Sequence, residues 1–409
     1  MKSEYIVALD LGTSKIRAKA ARKNGTELAY AELDADGCVR QGYVHNTEVA
    51  AEKIRQLIRD LNRQLTAKGE TKIKQIYVGL GGFSFHSEYY VADRTVDGEV
   101  TDEILAELRQ ECEQYEPEAA TVYGIIAPEY RADGKLEQSP KGVHCKELSA
   151  KFRLIVGRPQ IQPCLKTTVE DKARLKVVEY IVSPLASAAE LAPEEKRDGC
   201  ALIETGAGIT TLSIYKNNLL HYLATIPLAG DAITKDLSTV KDYERNAEEW
   251  KLQSADLLTT ETDEIHRALD ARVNEIFSNV FRQIKNAGFE SDLPAGLIIT
   301  GGSSQLKNLQ GYLEKQKYPV RIVSYPTQSC LKGLLLAGKE NCAEDAPEEP
   351  IRPVGELFGS PAPVSQEKPK PKQPTVEKNE EPKKKGWLGT WIKNVATTAE
   401  KTLFDDQES

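Results

Sequence analysis

Asp10-Leu11-Gly12-Thr13-Ser14-Lys15 stands between the apolar run Tyr5-Ile6-Val7-Ala8-Leu9 and an alternating segment over 16–20. The pattern predicts a strand, a tight turn and a second strand. Glycine in such a turn lets backbone N–H groups approach an anion. Thr13 and Ser14 add hydroxyl donors, Lys15 adds a cation, and Asp10 offers a carboxylate suited to a hydrated metal ion. Taken singly, this stretch describes an ordinary acidic hairpin as well as half of a phosphate clamp. Its echo decides between them. Cys200-Ala-Leu-Ile-Glu204-Thr-Gly206-Ala207-Gly208-Ile-Thr-Thr-Leu-Ser-Ile-Tyr215 again runs from an apolar strand through acid-x-Gly into an alternating strand. A Lys-Asn turn follows each copy, at Lys23-Asn24 and Lys216-Asn217, and then a further strand, over 27–33 and 219–226. Two such units imply a duplicated domain and a two-sided phosphate clamp.

Between and beyond the copies, helical spacing predicts helices over 47–68, 101–115, 163–173, 183–191, 232–237, 242–258, 264–287 and 305–316. Short strands are expected at 75–80, 89–96, 122–126, 150–156, 176–182 and 295–300, and the segments 320–323 and 329–337 close the folded part. Gly230-Asp231 opens the helix at 232–237 as a polar edge of the cleft. Gly301-Gly302-Ser303, after a buried strand, makes a turn against which a flat adenosine could lie. The section 83–161 breaks the pattern and reads as a small inserted α/β subdomain.

The net charge of −8 argues against nucleic acid as a partner. Seven scattered cysteines without a C-x-x-C pair suggest a reducing compartment and core thiols. His144-Cys145 lacks further metal ligands nearby. No apolar signal core or spanning stretch is present, so a cytoplasmic chain is expected.

From Ala343 to Lys385 the composition turns to Pro, Glu and Lys, with nine of the chain's 20 prolines, as in an extended linker. Hydrophobicity returns after Lys383-Lys384-Lys385. Trp387, Trp391, Val395, Ala399 and Leu403 follow at i+4, with Leu388 and Ile392 beside them and Phe404 at the end. That is one apolar stripe on a short helix, suited to an anionic membrane surface. Docking on a protein is the competing reading.

The paired hairpins, Ile298-Ile-Thr-Gly-Gly-Ser303 and Ser183-Pro-Leu-Ala-Ser187 resemble the actin, Hsp70 and sugar-kinase superfamily. With the replaced subdomain and the tail, the chain resembles the FtsA family of bacterial division proteins over nearly its whole length. The resemblance implies an actin-like (ribonuclease H-like) duplicated two-lobed α/β ATPase fold. Its parts would be a first-lobe core (1–82 with 162–198), the FtsA-type insertion (83–161) and a second-lobe core (199–240 with 295–340). An accessory subdomain (241–294), a disordered linker (341–385) and a membrane-targeting amphipathic helix (386–404) would complete the chain. It implies ATP held by Gly12, Thr13, Ser14, Lys15, Gly206, Ala207, Gly208, Gly230, Asp231, Gly301, Gly302 and Ser303, with Mg²⁺ held through water by Asp10 and Glu204. It further implies self-polymerisation, attachment of the C-terminal peptide of FtsZ within 241–294, later division proteins as partners, and residence on the cytoplasmic face of the cell membrane at the division site. One departure stands out: Glu204-Thr-Gly-Ala-Gly replaces the family's Asp-x-Gly-Gly-Gly. The extra methylene displaces any metal-bound water by about an ångström, so slow or absent hydrolysis is expected. A small-molecule kinase of the same superfamily is the alternative, although no base or substrate pocket is evident and the tail would be left unexplained.

Overall fold

The structure, a computed structural model, describes residues 3–344 apart from Lys317. Residues 341–344, expected to open the linker, are instead hydrogen-bonded to the first lobe; the rest of the linker and the terminal helix, with Lys383 to Phe404, lie outside the described residues. The chain opens with an antiparallel meander of β1 (Ile6–Leu11), β2 (Lys15–Ala21) and β3 (Glu27–Asp34). Two short strands not anticipated from sequence, β4 (Val39–Arg40) and β5 (Tyr43–Val44), lead into α1 (Thr47–Ala67), and β6 (Gln75–Leu80) follows. Asn46 caps α1 by accepting the N–H groups of Glu48 and Val49. Ala50, Ala51, Ile54, Leu57, Ile58, Leu61 and Leu65 form its buried stripe. Val49, on the outer face of α1 with Glu52 and Gln56, is 38% exposed.

The insertion comprises β7 (His86–Glu99), α2 (Asp102–Glu113), β8 (Thr121–Ala132), β9 (Lys135–Glu137) and β10 (His144–Gly157). Its long strands exceed the expected lengths, β8 by more than twofold, and β7 carries polar residues on two largely solvated faces that give little hydrophobic signal. β9 lies in the polar segment between β8 and β10, where no strand is expected from sequence. The chain then returns through α3 (Ile161–Lys166), which continues as a π-helical turn to Lys172, then β11 (Lys176–Val182), α4 (Ser183–Ser187) and α5 (Pro193–Asp198).

The second half repeats the plan with β12 (Cys200–Thr205), β13 (Thr210–Lys216) and β14 (Leu219–Ile226), then α6 (Gly230–Leu237), α7 (Ala247–Gln253), α8 (Glu264–Asn286), β15 (Gly296–Thr300), α9 (Leu309–Glu314), β16 (Val320–Ile322) and α10 (Ser329–Ala337). Two expected helices are shorter than predicted. Only 247–253 of 242–258 is α-helical, and 305–316 divides into a 3₁₀ turn at Gly302–Gln305 and α9, with Asn308 in a left-handed conformation between them. Local charge and apolar spacing do not reveal such interruptions.

The duplication is plain in the sheets. The first has strand order β11-β6-β1-β2-β3; the second begins β16-β15-β12-β13-β14. In both, the first-copy strand (β1 or β12) runs parallel to the strand on one side and antiparallel to the hairpin partner on the other. The insertion enters the chain within the first lobe, yet its four strands extend the second sheet in the order β7-β10-β8-β9. The seam is thin: Ala224 pairs with His86, and the Leu223 N–H donates to Ser87 Oγ at 2.9 Å.

α10, which the sequence reading places with the second lobe, packs in the first-lobe core through Cys330, Leu331 and Leu334. A Cβ on Gly333 would lie 1.9 Å from the Ala186 carbonyl oxygen, so α10 and α4 touch backbone to backbone, as the small residues of α4 suggest. The chain then runs back along its own start. Cys342 N–H donates to the Tyr5 carbonyl at 2.8 Å, Lys74 N–H to the Cys342 carbonyl at 2.8 Å, and Asn341 Nδ2 to the Ser3 carbonyl at 3.0 Å. All seven cysteines are free, and six are buried.

Candidate functional site

A cleft of about 680 Å³ lies between the two sheets. The turns after β1 and β12 form facing walls, and their geometry matches: Gly12 N–H donates to the Lys15 carbonyl at 3.0 Å, and Gly206 N–H to the Ile209 carbonyl at 2.9 Å. Asp10, Gly12, Thr13, Ser14, Lys15, Glu204, Gly206, Ala207, Gly208, Gly301, Gly302 and Ser303 all line the cleft. The walls approach closely, since a Cβ on Gly208 would sit 2.8 Å from Thr13 Oγ1.

Gly230 and Asp231 are the exceptions among the predicted ligands. They stand behind the second turn, where their N–H groups donate to the Gly206 and Ala207 carbonyls at 3.1 and 2.8 Å. Ser303 Oγ donates to the same Gly206 carbonyl at 2.6 Å. Three donors thus fix the second turn from outside, so the helix start at Gly230 braces the wall and does not line it. Gly301 has φ 89°, and a Cβ there would meet the Thr205 carbonyl oxygen at 2.3 Å, which restricts this turn to glycine.

Lys15 lines the cleft but is held at its rim by Asp34, 2.8 Å away. The floor is made by Ser183, Ser187 and Cys330 beneath the two carboxylates. A Cβ on Gly79 would meet Ser183 Oγ, Cys330 Sγ and Asp10 Oδ1 at 2.8, 3.0 and 3.6 Å, which places these three groups together. The Ser183 and Ser187 hydroxyls are buried without a well-formed hydrogen bond among the described residues. Burial, and secondarily the charge of Asp10, pushes Glu204 up to about 7. Burial also raises Asp10, against the opposing charge of Arg17 and a hydrogen bond from Cys330. Burial raises the Cys330 thiol well above its usual range, reinforced by both carboxylates. Two buried carboxylates that repel one another, with the Ser183 and Ser187 hydroxyls beside them, suit a hard divalent cation.

Several lining residues carried no decisive sequence signal. Lys251, only 8% exposed, places Nζ 2.6 Å from Glu248 and 2.7 Å from Thr234 Oγ1. It is a single lysine in a charged segment that resembles a solvated helix face. The Gln41-Gly42 turn between β4 and β5 reaches both walls, and Gly42 N–H donates to Thr13 Oγ1 at 3.0 Å. Arg17 was visible only as the next outward position of β2 after Lys15. Elsewhere, Glu261, Asp263 and His266 cluster at the start of α8, but Asp263 is already engaged in capping that helix.

A family model described as "Cell division protein FtsA" matches residues 201–348. Proteins described as "Cell division protein FtsA" are similar over most of the chain. That of Porphyromonas gingivalis is 31% identical over 343 residues, covering 77% of this chain and 71% of that one. That of Neisseria meningitidis is 25% identical over 351 residues, covering 77% and 82%. Among solved structures, a PilM–PilN type IV pilus biogenesis complex aligns with TM-score 0.59 at 16% identity, covering 81% of this chain and 97% of that one. The ethanolamine utilization protein EutJ from Carboxydothermus hydrogenoformans aligns with TM-score 0.52 at 16% identity, covering 82% and 90%. The shared architecture is the actin-like two-lobed fold.

Proposed function

The chain belongs to the FtsA family of cell division proteins, and we propose that it is a nucleotide-binding, self-assembling adaptor that ties the FtsZ ring to the cytoplasmic face of the membrane. The observation that carries the nucleotide part is the cleft itself, in which the two copies of acid-x-Gly meet at opposite walls. In this reading ATP lies with its phosphates between Gly12–Lys15 and Gly206–Gly208, and with its adenosine against Gly301–Ser303. Asp10 and Glu204 are the residues that would hold Mg²⁺ through water, which would supply charge neutralisation at the phosphates. Gly230, Asp231 and Ser303 keep the second turn rigid, while Thr13 and the Gln41-Gly42 turn carry any change in wall separation. Glu204 in place of aspartate supports a sensing role, with little hydrolysis. The kinase alternative is not favoured, because the relatives are division proteins.

The FtsZ peptide is assigned to 241–294 and later division proteins to the insertion. The anionic membrane is assigned to Lys383–Lys385 with Trp387, Leu388, Trp391, Ile392, Val395, Leu403 and Phe404. No described helix is long and apolar enough to cross a membrane. A terminal helix of this kind binds weakly alone, so assembly of many copies would give firm attachment. Deletion of 386–404 should abolish pelleting with anionic vesicles, and unchanged pelleting would overturn the membrane assignment. Capture of the intact chain on an immobilised FtsZ C-terminal peptide tests the partner separately.

A further inference from the structure

β2 presents Lys15, Arg17 and Lys19 on one face; Lys15 and Arg17 stand opposite Asp34 and Glu32 of β3, whereas Lys19 stands opposite Tyr30 and reaches diagonally to Glu27. Lys15 Nζ lies 2.8 Å from Asp34, Arg17 Nε 3.1 Å from Glu32, and Lys19 Nζ 2.6 Å from Glu27. The three rungs differ in setting. The Lys15 pair is at the rim, with Asp34 67% exposed, so solvent screens it. Lys19, 19% exposed, is not among the cleft-lining residues and also donates to Gln328. Arg17, at 16% side-chain exposure, is the enclosed rung of which both members line the cleft. Its cross-strand partner in β1 is Asp10, and its Nη1 would lie 3.9 Å from a Cβ on Gly12. Arg17 is also the main charge opposing the rise of Asp10. In the second copy the equivalent position, opposite Glu204, is Thr211, so this wall has no matching cation.

Resting on the nucleotide reading above, we propose that Arg17, and not Lys15, is the side chain that contacts the phosphates, with Glu32 holding its guanidinium in place through Nε. A guanidinium pinned by one nitrogen still presents other N–H donors as a planar fork, which suits phosphate oxygens. Lys15 would have to leave Asp34 to do the same. Because Arg17 is a fixed charge beside the first turn, the chain retains part of its nucleotide affinity when divalent cations are removed.

The test measures a fluorescent ATP analogue binding to the full-length chain, with Mg²⁺ and with EDTA. Arg17→Ala should weaken binding about tenfold or more, and the loss should be larger in EDTA. Lys15→Ala should weaken binding less than Arg17→Ala does, because its charge is already screened and paired at the rim. Arg17→Lys should recover only part of the loss, because the fork is absent. Glu32→Gln, which leaves Arg17 in place but frees Nε, should alter affinity in either condition less than Arg17→Ala does, and it decides the matter if Arg17→Ala fails to fold. In that case an effect of Glu32→Gln no larger than that of Asp34→Gln, the rim counterpart, overturns the proposal. A larger effect of Lys15→Ala than of Arg17→Ala, or wild-type affinity in Arg17→Ala, also overturns it while leaving the nucleotide reading intact. Failure of the parent chain to bind the analogue overturns both.

Discussion

Gly208→Ala tests whether the close approach of the two walls sets nucleotide affinity. The new Cβ would meet Thr13 Oγ1 at 2.8 Å, Thr13 Cγ2 at 2.9 Å and Gln41 Cα at 3.1 Å. To reach ordinary contact the Thr13 side of the cleft must retreat by about 0.6 Å. Overpacking of this kind destabilises a rigid core by about 1–3 kcal/mol. Here the walls belong to different lobes, so part of the strain is relieved by opening the cleft. Misplacement approaching 1 Å in a site that relies on positioning costs up to about a hundredfold. We expect about tenfold weaker binding of an ATP analogue, with a melting temperature only modestly lowered. Thr13→Ala removes both Thr13 contacts and leaves only Gln41 Cα tight. On its own it forfeits the hydrogen bond from Gly42, worth about 1 kcal/mol. The double variant should therefore bind better than the two single effects predict, with a coupling of about 1 kcal/mol. Wild-type affinity in Gly208→Ala, or strict additivity in the cycle, would refute the contact as the determinant.

Three further perturbations have defined outcomes. Burial raises Glu179 to about 7, with Lys339 opposing and Glu340 reinforcing; stability it contributes at low pH is lost as pH rises from about 4.5 through 7. Glu179→Gln should then melt above the parent by under about 1 kcal/mol at pH 5 and about 2–3 kcal/mol at pH 8, and an equal advantage at both pH values would contradict this. Gly333→Ala drives a methyl into the Ala186 backbone and should lower thermal stability by about 3 kcal/mol or more, whereas a neutral result would mean that α4 and α10 separate freely. Glu204→Asp shortens the side chain toward the geometry expected of a hydrolytic site, so Mg²⁺-dependent phosphate release should rise by about tenfold from a slow parent rate; a parent that already turns over at about 10 s⁻¹ sinks the argument.

The duplicated hairpins were legible because both signals they need are local: period-2 alternation and a glycine turn at a strand end. The same strand order and the same Gly12–Lys15 and Gly206–Ile209 hydrogen bonds follow from that repeat. Gly230 and Asp231 were misplaced because a helix start near a cleft can face it or brace it, and sequence spacing is identical in both cases. Lys251 and the Gln41-Gly42 turn join the site only through tertiary packing. The interrupted helices at 242–258 and 305–316 have apolar residues at helical spacing, but contacts with neighbouring elements select turns instead. The attachment of the insertion to the second sheet runs through one backbone pair, one serine hydroxyl and the buried cluster that Leu223 shares with Tyr123, Ile126 and Ile155, and none of these leaves a periodic trace.

The return of residues 341–344 along the chain's start has a mechanical consequence. Glu344 N–H donates to the Lys72 carbonyl and Thr71 Oγ1 to the Glu344 carbonyl, beside the Tyr5–Cys342 bond. Whatever follows Glu344 therefore departs from the first lobe, alongside its opening strand. Tension applied there loads several hydrogen bonds together in shear, and none is peeled singly. Such a load enters through Tyr5, directly before β1, the strand that carries Asp10 into the cleft.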